Sequence, residues 1–533
     1  MIDVVEYGPR RAAVVFAVML AALMQLADTT IVNVALPTID GALGASTDQG
    51  AWFITAYIIA NVIVIPLSPW FQSIMGRKRY FALSIAGFTV TSVLCGLAND
   101  TTTEILLRFV QGAFGGGLMV PAQQLMRDTY PSSQLAKSQS LFTLAVVIGP
   151  TIGPTLGGIL TDDLSWRWVF FVNVLPGIAA TALVLLFVRD PVTPRRLPFD
   201  FIGVGLLAVG LGALQYVLDE GERNGWFSDP GILLYAMVAA IALAAFVLFE
   251  LYGTKTPGVA LRTFRLRPVW GMSIINFAVA GGIFALIFIQ PQWTQESLGF
   301  TTTLAGLLLM VRSATLVVLF PITTWVTSQA HWDMRIVAAC GMFLAGFATW
   351  LQTYVMTTGT SFTALCATQI LGGVGYAFIW VPLSVLLFKT VEPKLIPSAL
   401  GLTRLMQQIG ASVGSAYAAT LLDRGYVAAG DAMASSTRPD RSVIANFAAT
   451  HGAHAVAMLN AMVSSEAFNE SAVHATQFFA VATMAAAALP FLLARTVEKR
   501  RRRSVAEPIV VPRLAGPVER TTLPRREEIP VNA

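Results

Sequence analysis

Charge is what this 533-residue chain has least of. Aspartate, glutamate, lysine and arginine make up 12% of it, against about a quarter in soluble domains, so a water-solvated globular surface is excluded. Cysteine is equally scarce. Cys95, Cys340 and Cys366 all fall inside apolar segments. An odd number without a C-x-x-C pair argues against a disulfide framework and a thiolate metal site, and the three read as small buried hydrophobes. The four histidines are too scattered for a metal cluster; His451 and His454 share at most one turn of a surface helix. No G-x-x-x-x-G-K-[ST] is present, which argues against ATP-driven pumping by this polypeptide. Neither H-E-x-x-H nor a nucleophile–base set marks an intramembrane enzyme. No enzyme activity, metal or cofactor is therefore expected. The net charge of +5 does not imply a nucleic-acid partner, because the basic residues lie in short loops between apolar runs.

Those runs are what the chain has in abundance. Hydrophobic residues make up 55% of it and the mean hydropathy is +0.67. A spanning helix needs about 20 apolar residues, and fourteen candidates are legible: 12–36, 50–70, 80–98, 103–126, 139–160, 168–188, 200–219, 231–251, 270–291, 301–325, 335–356, 362–388, 398–421 and 473–494. The first follows Arg10-Arg11 as a signal peptide would. It is too long for a signal h-region and contains Asp28, so it is read as a retained span. Lysine and arginine concentrate in alternate loops and the tail, with Arg404 counted among them. The opposite loops hold Arg167, Arg223, Arg424, Arg438 and Arg441, while Arg108 and Arg312 lie within spans. That asymmetry puts both termini in the cytoplasm. Three segments do not span. Arg189 to Phe199 is a proline- and arginine-rich linker, and 422–472 is a long outside loop with helix-like spacing near Ala455–Val463. From Arg495 a tail begins whose basic cluster, Lys499 to Arg503, suits anionic headgroups and whose remainder is too polar to fold.

The fifth span carries Gly149-Pro150-Thr151-Ile152-Gly153-Pro154-Thr155-Leu156-Gly157-Gly158. Two prolines there bend the helix and free carbonyls, which a bilayer tolerates only under cover of neighbouring helices. Gly149, Gly153 and Gly157 form one flat stripe, which serves either as static packing or as a close, mobile helix contact. The pattern G-x-x-x-G-P-x-x-G-G resembles the antiporter motif of proton-driven drug exporters in the major facilitator superfamily. Leu26 to Pro37 resembles the first-span signature of its fourteen-helix drug:proton antiporters, the EmrB/QacA type. Pro69 to Arg79, with Gly76 and Arg77, is similar to the loop signature G-x-L-A-D-x-x-G-R-[KR]. Here Pro69 replaces the usual glycine and Ser73 the usual aspartate, so Arg77 is expected to pair instead with Asp128 or to lie in a solvated turn. Leu107-Arg108-Phe-Val-Gln111-Gly112, Trp166 to Asn173, Gly306 to Arg312 and Gln408 to Gly414 fall in family order along the spans. Phe199 to Gly203, with Gln215 to Trp226, resembles the family's extra helix pair.

The resemblance implies a major facilitator fold: all-α, two six-helix bundles plus two inserted helices, fourteen transmembrane helices in all. The bundles are expected at 1–188 and 270–494. The linker and inserted pair would occupy 189–269, and a disordered basic tail 495–533. It implies that the first, fourth, ninth and twelfth spans line a central cavity. The fifth would rock against the tenth, with Gly153 facing it, and the second against the thirteenth, where Gly401, Gly410, Ser412, Gly414 and Ser415 lie. Asp28 sits about 12 Å from the outer end of the first span and Arg108 about 8 Å from that of the fourth, at 1.5 Å per residue. Ionisable groups at such depth are expensive and usually functional. The two are candidates for proton coupling; a structural ion pair and an i,i+4 pair between Glu104 and Arg108 stand beside that reading. Gly149, Gly153, Pro154, Gly157 and Gly158 are candidates for the seal, and Gly76, Arg77 and Asp128 for the cytoplasmic gating loop. Candidates for the substrate cavity are Gln25, Asn33, Gln111, Asn276, Phe284, Gln290, Arg312, Tyr376 and Trp380. Arg312 would either attract an anionic group or be satisfied by helix carbonyls.

The function implied is proton-coupled antiport, exporting a small lipophilic drug or other toxic amphiphile across the plasma membrane, the inner membrane of a bacterium. A periplasmic adaptor and an outer-membrane channel are the implied partners besides protons and lipid. The alternatives are an exporter of one endogenous metabolite, of fatty acid or siderophore type, and a non-transporting membrane sensor.

Overall fold

The computed structural model describes residues 6–189, 200–254, 257–329, 332–436 and 455–493. Its helices are α1 (Gly8–Leu43), α2 (Thr47–Met75), α3 (Arg77–Leu97), α4 (Thr101–Gly116), α5 (Met119–Thr129), α6 (Leu135–Asp163), α7 (Trp168–Phe171), α8 (Val174–Phe187), α9 (Phe201–Glu220) and α10 (Pro230–Leu248). The series continues with α11 (Arg267–Glu296), α12 (Thr302–Ser328), α13 (Met334–Thr353), α14 (Phe362–Ala377), α15 (Trp380–Thr390), α16 (Ile396–Ser436) and α17 (Ala455–Ala486). Every predicted span falls on these helices, the sixth divided between α7 and α8 and the fourth and twelfth also on two each. Among the described residues thirteen are long and apolar enough to cross a membrane. The exception is α16, where Arg404, Gln407 and Gln408 dilute the apolar content.

Local chemistry sets the ends. Ser46 and Gln49 form a reciprocal capping box at α2, and Asp100 accepts from the Thr103 N–H at α4, each satisfying amides that the first turn leaves unpaired. Gly44 closes α1 with φ +65°, a conformation that suits glycine. The fourth and twelfth predicted spans are not continuous as expected. One breaks between Gly116 and Met119 and the other between Ala377 and Trp380. The cause is a proline just past each break. Pro121 and Pro382 have no N–H to donate to the carbonyls of Gly117 and Phe378, four residues back.

The two halves repeat one packing. The most extensive helix pairs are α1 with α6 and α11 with α16, and in both glycine lets backbones touch. A Cβ at Gly149 would lie 2.8 Å from Leu26 Cβ, and one at Gly157 2.8 Å from the Ile31 carbonyl. Gly410 and Gly414 press in the same way on Phe277 and Gly281 of α11. The glycine stripe of α6 therefore faces α1 in its own half, not α12 as predicted. Small residues are needed where helix axes run closest, and that contact is within the half. Gly158 departs from the stripe, with nothing within 4 Å of a Cβ. The predicted interface on α16 is likewise divided: Gly410 and Gly414 meet α11, Gly401 meets Pro69 of α2, and Ser412 donates to Gln215 of α9 at 3.0 Å.

Between halves, α6 packs on α12 and α2 on α16, the pairs expected to rock. At the end carrying the basic turns Arg77–Arg79 and Lys389–Lys394, one buried cluster runs through both halves, from Ile65, Leu67 and Val120 to Leu386, Phe388 and Leu400. At the opposite end the clusters are separate. Ile31, Phe53 and Trp166 belong to one half, and Leu286, Trp293 and Met356 to the other. The halves are thus fused at the basic end. The inserted pair α9–α10 rests on α2 and α16, with Trp226 Nε1 donating to Thr420 Oγ1 at 3.1 Å.

Two further expectations change. Residues 422–472 are not simply a loop, because α16 runs on to Ser436 and α17 begins at Ala455. Polar side chains such as Asp423 and Arg424 do not stop a helix that leaves the apolar zone. Cys340 is exposed on α13 rather than buried. Most of the Arg189–Phe199 linker, His451, His454, Arg438, Arg441 and the tail from Arg495 lie outside the described residues.

Candidate functional site

A cavity of about 190 Å³ lies between the halves. The breaks in α4–α5 and α14–α15 flank it, with Gly115 and Met119 on one side and Tyr376 and Trp380 on the other. Interrupted helices at corresponding positions of two repeats are the usual frame of a transporter site. Of the predicted cavity residues, Gln25, Phe284, Arg312, Tyr376 and Trp380 line it. Four do not. Asn33 is exposed elsewhere on α1, and Gln111 is wholly buried among the charges described below. Asn276 donates to the Thr403 carbonyl at 3.2 Å, and Gln290 sits behind Arg312. Helical rotation is the reason for the three buried ones, which meet neighbouring helices instead, whereas Asn33 shares the face of Leu26 at i+7 and lies about two turns further along α1.

Arg312 is held by side chains, not by helix carbonyls. Its Nε donates to Gln369 Oε1 at 2.8 Å and its Nη2 to Gln290 Oε1 at 2.9 Å, and its guanidinium lies 5.7 Å from the Tyr376 ring. Arg404, near the start of the thirteenth predicted span and counted from sequence with the cytoplasmic basic residues, also lines the cavity. It donates to Gln407 Oε1 at 2.8 Å and to Gln123 Oε1 at 3.1 Å. Both arginines thus have neutral partners, and among the described residues no ion pair joins either to a carboxylate. The signal for this wall was present in the spacing. Arg404, Gln407, Gln408 and Ala411 stand at i, i+3, i+4 and i+7, one face of one helix.

Asp28 and Arg108 do not face the cavity. They form an ion pair at 2.8 Å inside the first half, with side chains 0% and 1% exposed. Asp28 also accepts from Gln111 Nε2 at 3.2 Å and Asn173 Nδ2 at 3.0 Å. Arg108 also donates to Gln111 Oε1 at 2.6 Å and to the Phe53 carbonyl at 3.0 Å, and its guanidinium lies 4.4 Å from the Tyr57 ring. A buried pair repays its desolvation only when its remaining polar atoms are satisfied, and this network supplies that. Glu104 is not in it. The i,i+4 partnership with Arg108 is not made, because the guanidinium turns to Asp28.

The basic-end turn follows the sequence reading closely. Gly76 has φ +84° and joins α2 to α3. Arg77 Nη1 meets Asp128 Oδ2 at 2.5 Å, and Arg127 meets Asp128 Oδ1 at 2.7 Å. Ser73, in place of the family's aspartate, donates to the Trp70 carbonyl of its own helix at 2.7 Å, so Asp128 is the carboxylate of this turn. Next to it Gln123 Nε2 reaches Ser384 Oγ of the other half at 3.4 Å. On α6, the face turned to the second half carries Thr151, 2.6 Å from Ser313 Oγ, and Thr155, 3.7 Å from Met310 Sδ.

The profile of the Major Facilitator Superfamily matches residues 18–415. Multidrug export protein EmrB of Escherichia coli (strain K12) is 32% identical over 417 residues, which are 78% of this chain and 80% of that protein. Fatty acid resistance protein FarB of Neisseria gonorrhoeae is 31% identical over 427 residues, 79% of this chain and 83% of that one. Among solved structures, the human organic anion transporter TETRAN superposes with a TM-score of 0.60 at 14% identity, covering 92% of this chain and 100% of that one. At that identity it speaks for the fold alone. The chain belongs to the Major Facilitator Superfamily, and its relatives over most of that length are of the EmrB type.

Proposed function

We propose that the chain is a proton-coupled antiporter that exports lipophilic drugs or other toxic amphiphiles across the plasma membrane, in keeping with the names of its relatives. The observation that carries the coupling lies on α1. Gln25 and Leu26 face the cavity, while Asp28, on the same turn, faces away to Arg108. A proton-coupled exporter needs a group whose proton affinity changes with conformation. Asp28 is such a group if the rocking that remodels the cavity also loosens its ion pair. The glycine seam binds α1 to α6, and α6 in turn meets α12 across the halves, so one movement reaches both places.

A second reading concerns the cargo. Two guanidiniums face the cavity without a carboxylate, which favours a neutral or anionic amphiphile over a lipophilic cation. An exporter of one endogenous fatty-acid-like metabolite fits the same walls. On this reading the basic end is cytoplasmic, as are both termini, and the fused halves make this an outward-facing arrangement. We divide the chain into bundles at 1–188 and 270–494, a linker and inserted pair at 189–269 and a tail at 495–533. In a host with two membranes, the ends of α16 and α17 beyond residue 422 are the surface for a periplasmic adaptor and an outer-membrane channel.

The test is transport by proteoliposomes under an imposed pH gradient. Export against proton entry, abolished by a protonophore and stronger for anionic than for cationic amphiphiles of equal size, is the expected result. Accumulation under the opposite gradient polarity would overturn the antiport reading. Equal rates for both charges would overturn the cargo reading alone.

A further inference from the structure

Glu104 is the polar group that the network around Arg108 leaves aside. It sits in the first turn of α4, is 0% exposed, and neither carboxyl oxygen has a hydrogen-bond partner. The titratable and charged groups around it come from every neighbouring element. They are Asp28 on α1, Tyr57 beneath Arg108 on α2, Cys95 on α3, Arg108 one turn further along α4, and Arg167 before α7. None holds it. Arg108 is committed to Asp28 and Gln111, and Arg167 donates to the carbonyls of Gly96 and Ala98, both at 2.8 Å. The Cys95 thiol lies 3.7 Å from Gln111 Oε1.

An ionised carboxylate in such a place is costly, whereas the neutral acid is tolerated. Asp28, by contrast, has three donors at its oxygens. Two carboxyl groups therefore lie near one guanidinium, one bound to it and one not, and the second, in the first turn of α4, lies nearer the end where the halves are separate. Because Glu104 and Arg108 are four residues apart on one helix, a change of side-chain rotamer brings them together.

We propose that Glu104 is a second proton-carrying group, through which Asp28 exchanges protons with the outer side. The step is a swap. The proton leaves the Glu104 carboxyl, the Asp28 carboxylate takes it up, and the Arg108 guanidinium moves from Asp28 to the newly ionised Glu104. One cation, one anion and one neutral acid remain throughout, so no net charge is created in the low-dielectric interior. This inference rests on the antiport reading, and its test separates the two.

The experiment uses the full-length protein in proteoliposomes, as wild type, Glu104→Gln and Glu104→Asp. Three readouts are taken: pH-driven export, counterflow exchange without a pH gradient, and the infrared carbonyl stretch of protonated carboxyl groups. Expected are an infrared band at neutral pH that disappears in Glu104→Gln, loss of pH-driven export with counterflow retained, and partial rescue with a displaced pH profile in Glu104→Asp. An unchanged band in Glu104→Gln, or export with the wild-type rate and pH profile, overturns the proposal. If wild type itself shows no pH-driven export, the antiport reading fails while the band still decides whether Glu104 holds a proton. Should Glu104→Gln not fold, the loss or persistence of the band in Glu104→Asp on titration decides the same point.

Discussion

Adding one methyl group at Gly157 tests the seam on which the coupling argument depends. The new Cβ would stand 2.8 Å from the Ile31 carbonyl oxygen and 3.1 Å from Ile31 Cγ1, both on α1. A backbone oxygen cannot rotate away, so α1 and α6 must part. Gly158, the next residue, has nothing within 4 Å and is the internal control. Both Gly→Ala changes gain the same helix propensity of about 1 kcal/mol, which cancels when the two variants are compared. The difference left is the cost of overpacking, about 1–3 kcal/mol. That is roughly a 5- to 150-fold change in any equilibrium that depends on the seam. The assay is thermal unfolding in detergent together with pH-driven export in vesicles. Gly158→Ala should melt at or slightly above wild type and transport normally. Gly157→Ala should melt lower and build a smaller gradient, because α1 carries both a cavity wall and Asp28. Identical melting and transport by the two variants would refute the close contact.

Asp28→Asn should insert normally but lose pH-driven export while keeping counterflow. An amide cannot accept from Arg108, Gln111 and Asn173 together, and breaking a buried pair costs about 3–5 kcal/mol, which a lowered melting temperature would register. Arg312→Gln and Arg404→Gln should each weaken export of anionic amphiphiles and spare neutral ones, as read by competition against a neutral fluorescent substrate; uniform loss for all cargo would argue for a packing role. Gln123→Ala removes bonds to Ser384, Gln139 and Arg404, so cysteines placed at the basic end should become more accessible to a membrane-impermeant thiol reagent from that side, and unchanged labelling would show that the seal lies elsewhere.

The sequence by itself determined that this is a multi-pass helical protein, where the spans lie and which superfamily they resemble, because apolar length and the order of short motifs are properties of the linear chain. It also pointed to the Asp28–Arg108 pair and to Asp128 as the substitute partner of Arg77, since charges confined to a bilayer or a tight turn have few partners available. What it could not determine was the direction in which each helix faces. A rotation of about 100° per residue separates Gln25, in the cavity, from Asp28, behind it, and the same uncertainty turned the glycine stripe from α12 to α1. Arg404 shows the limit most clearly. In the linear chain it counted among the cytoplasmic basic residues near the start of its span, and only the packing of the two halves put it in the cavity wall. Glu104 is the converse case: its spacing allowed a pair with Arg108, and the tertiary structure gave that guanidinium to Asp28, because Gln111 and Asn173 already converge there and complete the shell of a buried charge.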